Sequence, residues 1–263
     1  MKKNMWRRAF TPTTIPKYPC PRCKDGHLVL DGKVAERQPA WSSLQQKHEH
    51  AELIDIVERF HFVMICGNKV CGEIVSVIGT SGPEPDYDDD YGQVYVPTLR
   101  PDAIFPAPPM IEVPTKTPQK ALDHLKKAFH VCWTDTNAAA NCLRVSVEYL
   151  LDDLEIPRAR KNKNDEDVDL DLNARIQIVE QSDKISGHAS TFHALRIVGN
   201  LGSHGNGVKW DNLLDGFLVY EKALADLLGN EGAVFEEAKA RLLSLKKLKP
   251  KKQMLPKAPE PSG

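Results

Sequence analysis

The sequence lacks the marks of several protein classes. No stretch approaches the roughly 18 consecutive apolar residues that a membrane span needs, so no membrane contact is expected. The opening residues, MKKNMWRRAFTPTTIP, are basic but run into no apolar segment, so they do not read as a secretion signal and a cytoplasmic location is expected. Net charge is −1, which excludes a wholly basic nucleic-acid coat protein. There is no internal repeat, no phosphate-cradling glycine loop, no nucleophile elbow and no HExxH helix. What remains is ordinary for a folded chain: 263 residues, 41% hydrophobic and 27% charged, enough for one large domain or two modest ones.

Charge and proline are spread unevenly. Residues 1–24 hold seven Lys/Arg and no Asp/Glu, while SGPEPDYDDDYG (81–92) is acidic and turn-rich. Seven of the nineteen prolines fall in residues 97–118. Proline fixes φ, removes a donor and bars its predecessor from the helical region. This stretch therefore predicts an extended, semi-rigid linker between two domains; a proline-rich strand edge within one domain is the alternative. The expected division is a small β-rich domain with a basic arm (1–95), a linker (96–118), a helical bundle (119–245) and a basic, proline-rich, disordered tail (246–263). The fold class is α+β.

Helical spacing dominates after residue 118. In QKALDHLKKAFHVCW, Leu122, Leu125, Phe129 and Cys132 or Trp133 recur every three or four residues. Thr136 is the expected cap of the next helix, which Pro157 stops, with Arg144 and Glu148 paired on its surface. RARKNKNDED (158–167) reads as a loop. LNARIQIVEQ follows, capped by Asp171 or Asn173. HASTFHALRIVGNLG (188–202) is a helix ended by its glycines, and residues 211–229 form a helix capped by Asp211 and closed by Gly229. EGAVFEEAKARLLSLKKL gives the last.

Six cysteines in a reducing compartment read as metal ligands or plain thiols. Cys20 and Cys23 lie in YPCPRCKDGH, and Cys66 and Cys71 in FVMICGNKVCGEIV. Two thiolates converge on one ion only through a tight turn, which Pro21 and Gly26 allow in the first pair and Gly67 and Gly72 in the second. Each pair is followed by a β-patterned run, HLVL or EIVSVIG, so each should open a hairpin. The layout is that of a zinc ribbon, with residues 41–59 as a helical or loop-like insertion. Four thiolates around one structural zinc per chain would leave no position for water. The alternatives are four unrelated thiols, or His27 or His61 in place of a cysteine. Cys132 and Cys142 read as core thiols.

Two acidic runs invite a cation. DEDVDLDLN (165–173) fails as a calcium loop: counted from Asp167, position six is Leu172 rather than Gly and position twelve is Ile178 rather than Glu. DYDDDY reads as a flexible acidic loop. The remaining lead is LRIVGNLGSHGNG (195–207), where Arg196, Asn200 and His204 stand four apart and would share one helix face. Arg could neutralise a phosphate and His could act as an acid or base near neutral pH. In the structural alternative, Asn200 and His204 cap the helix end and Arg196 pairs with an acid.

CPRC, RFHFVMICGNKVCGEIVSVIG, the proline-rich connector and LRIVGNLGSHG, in this order, resemble the family known as domain of unknown function 4145, over roughly residues 18–228. That resemblance implies a helical half similar to HEPN (higher eukaryotes and prokaryotes nucleotide-binding) domains, many of which are metal-independent ribonucleases acting as dimers. It also implies a link to bacterial restriction and phage defence. The HEPN motif is Arg, a polar residue, three others, then His. Asn200 and His204 match the last two, and the Arg position is Gly199.

Two functions are expected from this. One is a non-catalytic interaction module, a zinc ribbon and helical bundle that binds RNA, DNA or a defence-system protein, as a homodimer. Its basic ends would contact phosphates, with affinity then falling steeply with salt; the alternative is that they are only solubilising tails. The other is an endoribonuclease with His204 as acid/base, Arg196 against the developing phosphorane charge and Asn200 as orienter.

Overall fold

The computed structural model describes residues 1–183, 185–203, 207–229, 239 and 241. The predicted last helix and basic tail lie otherwise outside them.

The front of the chain is an antiparallel meander of four strands, β1 (Leu28–Arg37), β2 (Glu58–Cys66), β3 (Ile74–Asp88) and β4 (Gly92–Phe105), hydrogen-bonded in that order. Alternation decides its buried face: Phe60, Phe62 and Met64 on β2 and Val75 and Val77 on β3 are buried, while their neighbours face outward. Between β1 and β2 lie a short helix α1 (Ala40–Gln45) and a 3-10 turn (Leu53–Asp55), the expected insertion.

The proline-rich stretch departs from expectation. It is extended, but residues 96–105 belong to β4 rather than to a linker, with Pro97 opposite Pro83 and Pro101 opposite Gly79. Strand β4 lies at the edge of the sheet, where prolines cost fewest ladder hydrogen bonds. The acidic run before it is strand as far as Asp88, and Asp89, Asp90 and Tyr91 form the turn between β3 and β4. Strands β3 and β4 continue past Ser81, which pairs with the first residue of β2, as a two-stranded arm closed at Gly92, whose φ is +73°.

Five further helices follow the sheet among the described residues: α2 (Gln119–Val131), α3 (Thr136–Asp153), α4 (Leu172–Glu180), α5 (Ala189–Ser203) and α6 (Trp210–Leu228). The fold is α+β. Asp135, not Thr136, caps α3, its carboxylate accepting from the N–H groups of Asn137 and Ala138; Thr136 Oγ1 instead donates to the Val208 carbonyl at 2.6 Å. Asp171 caps α4 as expected, accepting from Ala174 N–H at 2.7 Å. Lys209 rather than Asp211 is the N-cap of α6, with Asp211 in the first turn. RARKNKNDED is not all loop: β5 (Ala159–Lys161) pairs with β6 (Asp167–Asp169).

One hydrophobic core runs through sheet and helices. The basic first segment lies inside this arrangement. Trp6 stacks on Tyr18 (5.2 Å between ring centroids), Tyr18 meets Trp133 edge-on (6.0 Å), and Trp133 meets Trp210 (5.1 Å). Arg8 donates to the Trp133 carbonyl at 3.1 Å and lies over the Trp210 ring, and Lys3 pairs with Asp215 on α6. Each buried ring hides on the order of 200 Å², worth at most about 5 kcal/mol of transfer. That is enough to hold the segment down against the helices, with Lys3 and Arg8 engaged there.

Candidate metal centre

Two turns build the centre. The first precedes β1: Cys20 N–H donates to the Gly26 carbonyl at 2.8 Å, curling Pro21–Asp25 into a loop with Cys20 and Cys23 on its inner side. The second is the connection from β2 to β3. Cys66 ends β2, its N–H bonds to the Glu73 carbonyl at 2.8 Å, and the Asn68 carbonyl accepts from Cys71 (2.9 Å) and Gly72 (3.1 Å). Gly72 has φ +58°, a conformation side chains resist. Gly67 N–H to the His27 carbonyl, 2.9 Å, ties the turns together.

The result is a compact thiol cluster. Cys20 Sγ lies 3.7 Å from Cys71 Sγ and Cys23 Sγ 3.6 Å from Cys66 Sγ, and all four sulfurs fall within 4.8 Å of one another. A tetrahedron of sulfurs about 2.3 Å from a central ion has edges of about 3.8 Å; the two short sulfur pairs match that edge and the rest lie within an ångström or so above it. Cys20 and Cys66 are buried; Cys23 and Cys71 are half-buried. Backbone N–H groups of Arg22 (3.4 Å) and Cys23 (3.5 Å) point at Cys20 Sγ, and Asn68 Nδ2 at Cys23 Sγ (3.9 Å), which favours thiolate. The thiols respond unequally. Desolvation pushes Cys66 up to about 12, while Cys23, despite desolvation, is held below the ordinary thiol value by bonds from Cys71, Cys66 and Cys20. Four thiolates this close repel, and a cation at the centre removes the conflict. His27 and His61 are exposed and belong to no such cluster.

Two determinants escaped the sequence reading in part. Gly26 was visible only as a turn residue. In space a Cβ there would sit 2.3 Å from Cys66 Sγ and 2.7 Å from Cys23 Sγ, so the centre requires its bare backbone. Asn68 gave only the signal of an Asn beside a Gly, a turn pair; its carbonyl and side chain organise the second loop.

The helical lead lies elsewhere, on α5. Arg196 and Asn200 share a half-buried face of that helix. His204 lies outside the described residues. Helix α5 runs through Gly202 to Ser203; among the described residues Asn200 has no side-chain hydrogen bond and Arg196 no carboxylate partner, the Arg196 Nε being buried without an acceptor. Gly199, at the Arg position of the HEPN pattern, is buried against Arg144 of α3. Of the other thiols, Cys132 is fully buried, Sγ directed at the Phe129 carbonyl (3.3 Å), and Cys142 is half-buried.

The model of the family described as Domain of unknown function (DUF4145) matches residues 126–258, half of the chain. The chain belongs to the DUF4145 family. A second family model, also described as a domain of unknown function (DUF8608), matches residues 8–103. The DUF4145 match begins within α2, later than the resemblance's residue 18, and runs past residue 228 to 258, while the paired cysteines fall within the DUF8608 match. No curated protein matches, and no solved structure does. No helix among the described residues is long and apolar enough to cross a membrane.

Proposed function

We propose that this DUF4145 protein is a non-catalytic, zinc-stabilised module that binds nucleic acid through its helical half. Zinc is the reading of the metal because four soft thiolate ligands in a near-tetrahedral set suit it, and a site with no open position is structural. The observation that carries the binding role is Arg196. Arg196 is half-buried, with its Nε sealed from water without an acceptor and no carboxylate partner among the described residues, a cost that an arriving anion offsets. Asn200, one turn on and also unpartnered, supplies a neutral donor beside it. A setting in restriction or phage defence, and pairing of two copies, rest on the family resemblance.

The test is binding of a single-stranded RNA and a single-stranded DNA oligonucleotide by wild type and Arg196→Ala at stepped salt, alongside metal analysis. Salt-sensitive binding lost in Arg196→Ala, with about one zinc per chain, supports the reading. Salt-independent or absent binding removes the nucleic-acid part and leaves a protein partner. Arg196 and Asn200 on one face also favour a second reading, an endoribonuclease completed by His204. Cleavage by wild type and none by His204→Ala would establish it.

A further inference from the structure

A close helix crossing lies beside Arg196. A Cβ at Gly199 would stand 2.5 Å from Arg144 Cβ and 2.9 Å from its Cγ and Cδ, and one at Gly202 would stand 2.6 Å from the Asn137 carbonyl oxygen. Backbone and side chain therefore meet directly where α5 crosses α3. The pairs also show direction: Gly202 lies on Asn137 and Gly199 on Arg144, so the helices run antiparallel. Further along α3 means earlier on α5. The Arg144 head extends that way, toward Glu148, whose Oε1 lies 3.6 Å from Arg144 Nη1. Three residues before Gly199 is Arg196, and positions three apart on a helix are about 5–6 Å apart. Arg144 and Arg196 therefore stand about one helical turn apart at the α3–α5 crossing.

Their charges do not balance. Glu148 answers Arg144 at a distance beyond a good hydrogen bond, and no carboxylate among the described residues answers Arg196. The Nε atoms of both are buried without an acceptor. Two planar guanidinium forks, half withdrawn from water and short of acceptors, match a phosphate group, which offers several oxygens to paired N–H donors.

We propose that Arg144 is a second phosphate-gripping residue: reaching across Gly199, it closes with Arg196 on a single phosphate group, and Gly199 is the opening that lets it through. The proposal rests on the reading that the α5 face binds nucleic acid, and it names the chemistry by which it does so. A strand backbone, a mononucleotide and inorganic phosphate all offer that chemistry.

The experiment uses the full zinc-loaded chain and fluorescence anisotropy of a labelled single-stranded RNA oligonucleotide, with an uncharged-backbone analogue, a mononucleotide and inorganic phosphate as competitors. Arg144→Ala and Arg196→Ala should each weaken RNA binding about tenfold and lower the slope of log affinity against log salt by about one. Arg144→Lys, which keeps a stem over Gly199 but loses the fork, should weaken it as well with an unchanged melting temperature. Glu148→Gln, which frees Arg144 from its carboxylate, should tighten binding, an effect that a merely structural arginine would not give. Competition by inorganic phosphate as strong as by the mononucleotide would identify a free-phosphate site; competition only by charged strands identifies the backbone as source. If Arg196→Ala loses binding while Arg144→Ala and Arg144→Lys keep wild-type affinity and slope, the Arg144 proposal falls and the α5 reading stands. If wild type binds none of the phosphate-bearing probes, both fall.

Discussion

Gly26→Ala is the sharpest perturbation of the metal centre, because it leaves all four ligands chemically intact. Its Cβ would lie 2.3 Å from Cys66 Sγ, 2.7 Å from Cys23 Sγ and 3.4 Å from Cys20 Cβ. Ordinary contact between non-bonded heavy atoms is about 3.5–4.0 Å, so two sulfurs must retreat by roughly an ångström each. A metal site tolerates about 0.2 Å in its bond lengths. The sulfurs cannot retreat together, since Cys66 is tethered at the end of β2 and Cys23 in the first loop. Structural zinc supplies about 10–16 kcal/mol in small zinc-binding peptides, comparable with the whole 5–15 kcal/mol of a typical domain. Even a partial loss should therefore unfold the loops at the metal end of the sheet. Gly72→Ala is the internal control. It has φ +58° with nothing within 4 Å of a Cβ, so it costs only backbone strain, about 1–2 kcal/mol. Metal analysis and thermal melting with and without chelator separate the two. Gly26→Ala should lose the metal and melt like chelated wild type; Gly72→Ala should keep one ion and melt a few degrees low. One ion per chain and a wild-type melt in Gly26→Ala would refute the proposed geometry.

Other outcomes follow from the helical half and the ligands. Cys66→Ser should lose the metal, and a full complement of metal by elemental analysis would refute the ligand set. Asp152→Ala strands Arg175, which is 2% exposed and bonded to Asp152 Oδ1 (2.8 Å) and the Glu148 (3.0 Å) and Ile156 (2.8 Å) carbonyls; urea unfolding should show a loss of about 3 kcal/mol. Desolvation works to raise the Asp152 carboxyl, but Arg158 and Arg175 outweigh it and hold it below the usual range. Its contribution is therefore present above the ordinary carboxylate value and lost as pH falls through the depressed one, so Asp152→Asn should flatten the acid limb of stability against pH. Tyr220→Phe should cost about 1 kcal/mol in the same assay, since Tyr220 donates to Ser146 Oγ (2.9 Å) while Ser146 keeps its bond to the Ala121 carbonyl (2.7 Å).

The sequence by itself determined the cysteine quartet, the order of sheet then helices, and most helix bounds. These are local signals: turn chemistry around paired thiols, and apolar residues spaced to put one stripe on a helix. Leu122, Leu125 and Phe129, with Asp171 at a helix start, needed no partner to be recognised. Tertiary structure decided the rest. Proline density marks an extended chain but not whether a neighbouring strand pairs with it, so Pro97 and Pro101 read as linker until β3 was beside them. The basic first segment looked free because charge is visible in sequence and a distant Trp210 is not. Asp135 displaced Thr136 as a cap because the threonine hydroxyl had the Val208 carbonyl to bond. Gly26 and Gly199 depend on what approaches from across the fold, two sulfurs in one case and the stem of Arg144 in the other. No spacing along the chain encodes those approaches, because they exist only once the loops and helices are packed.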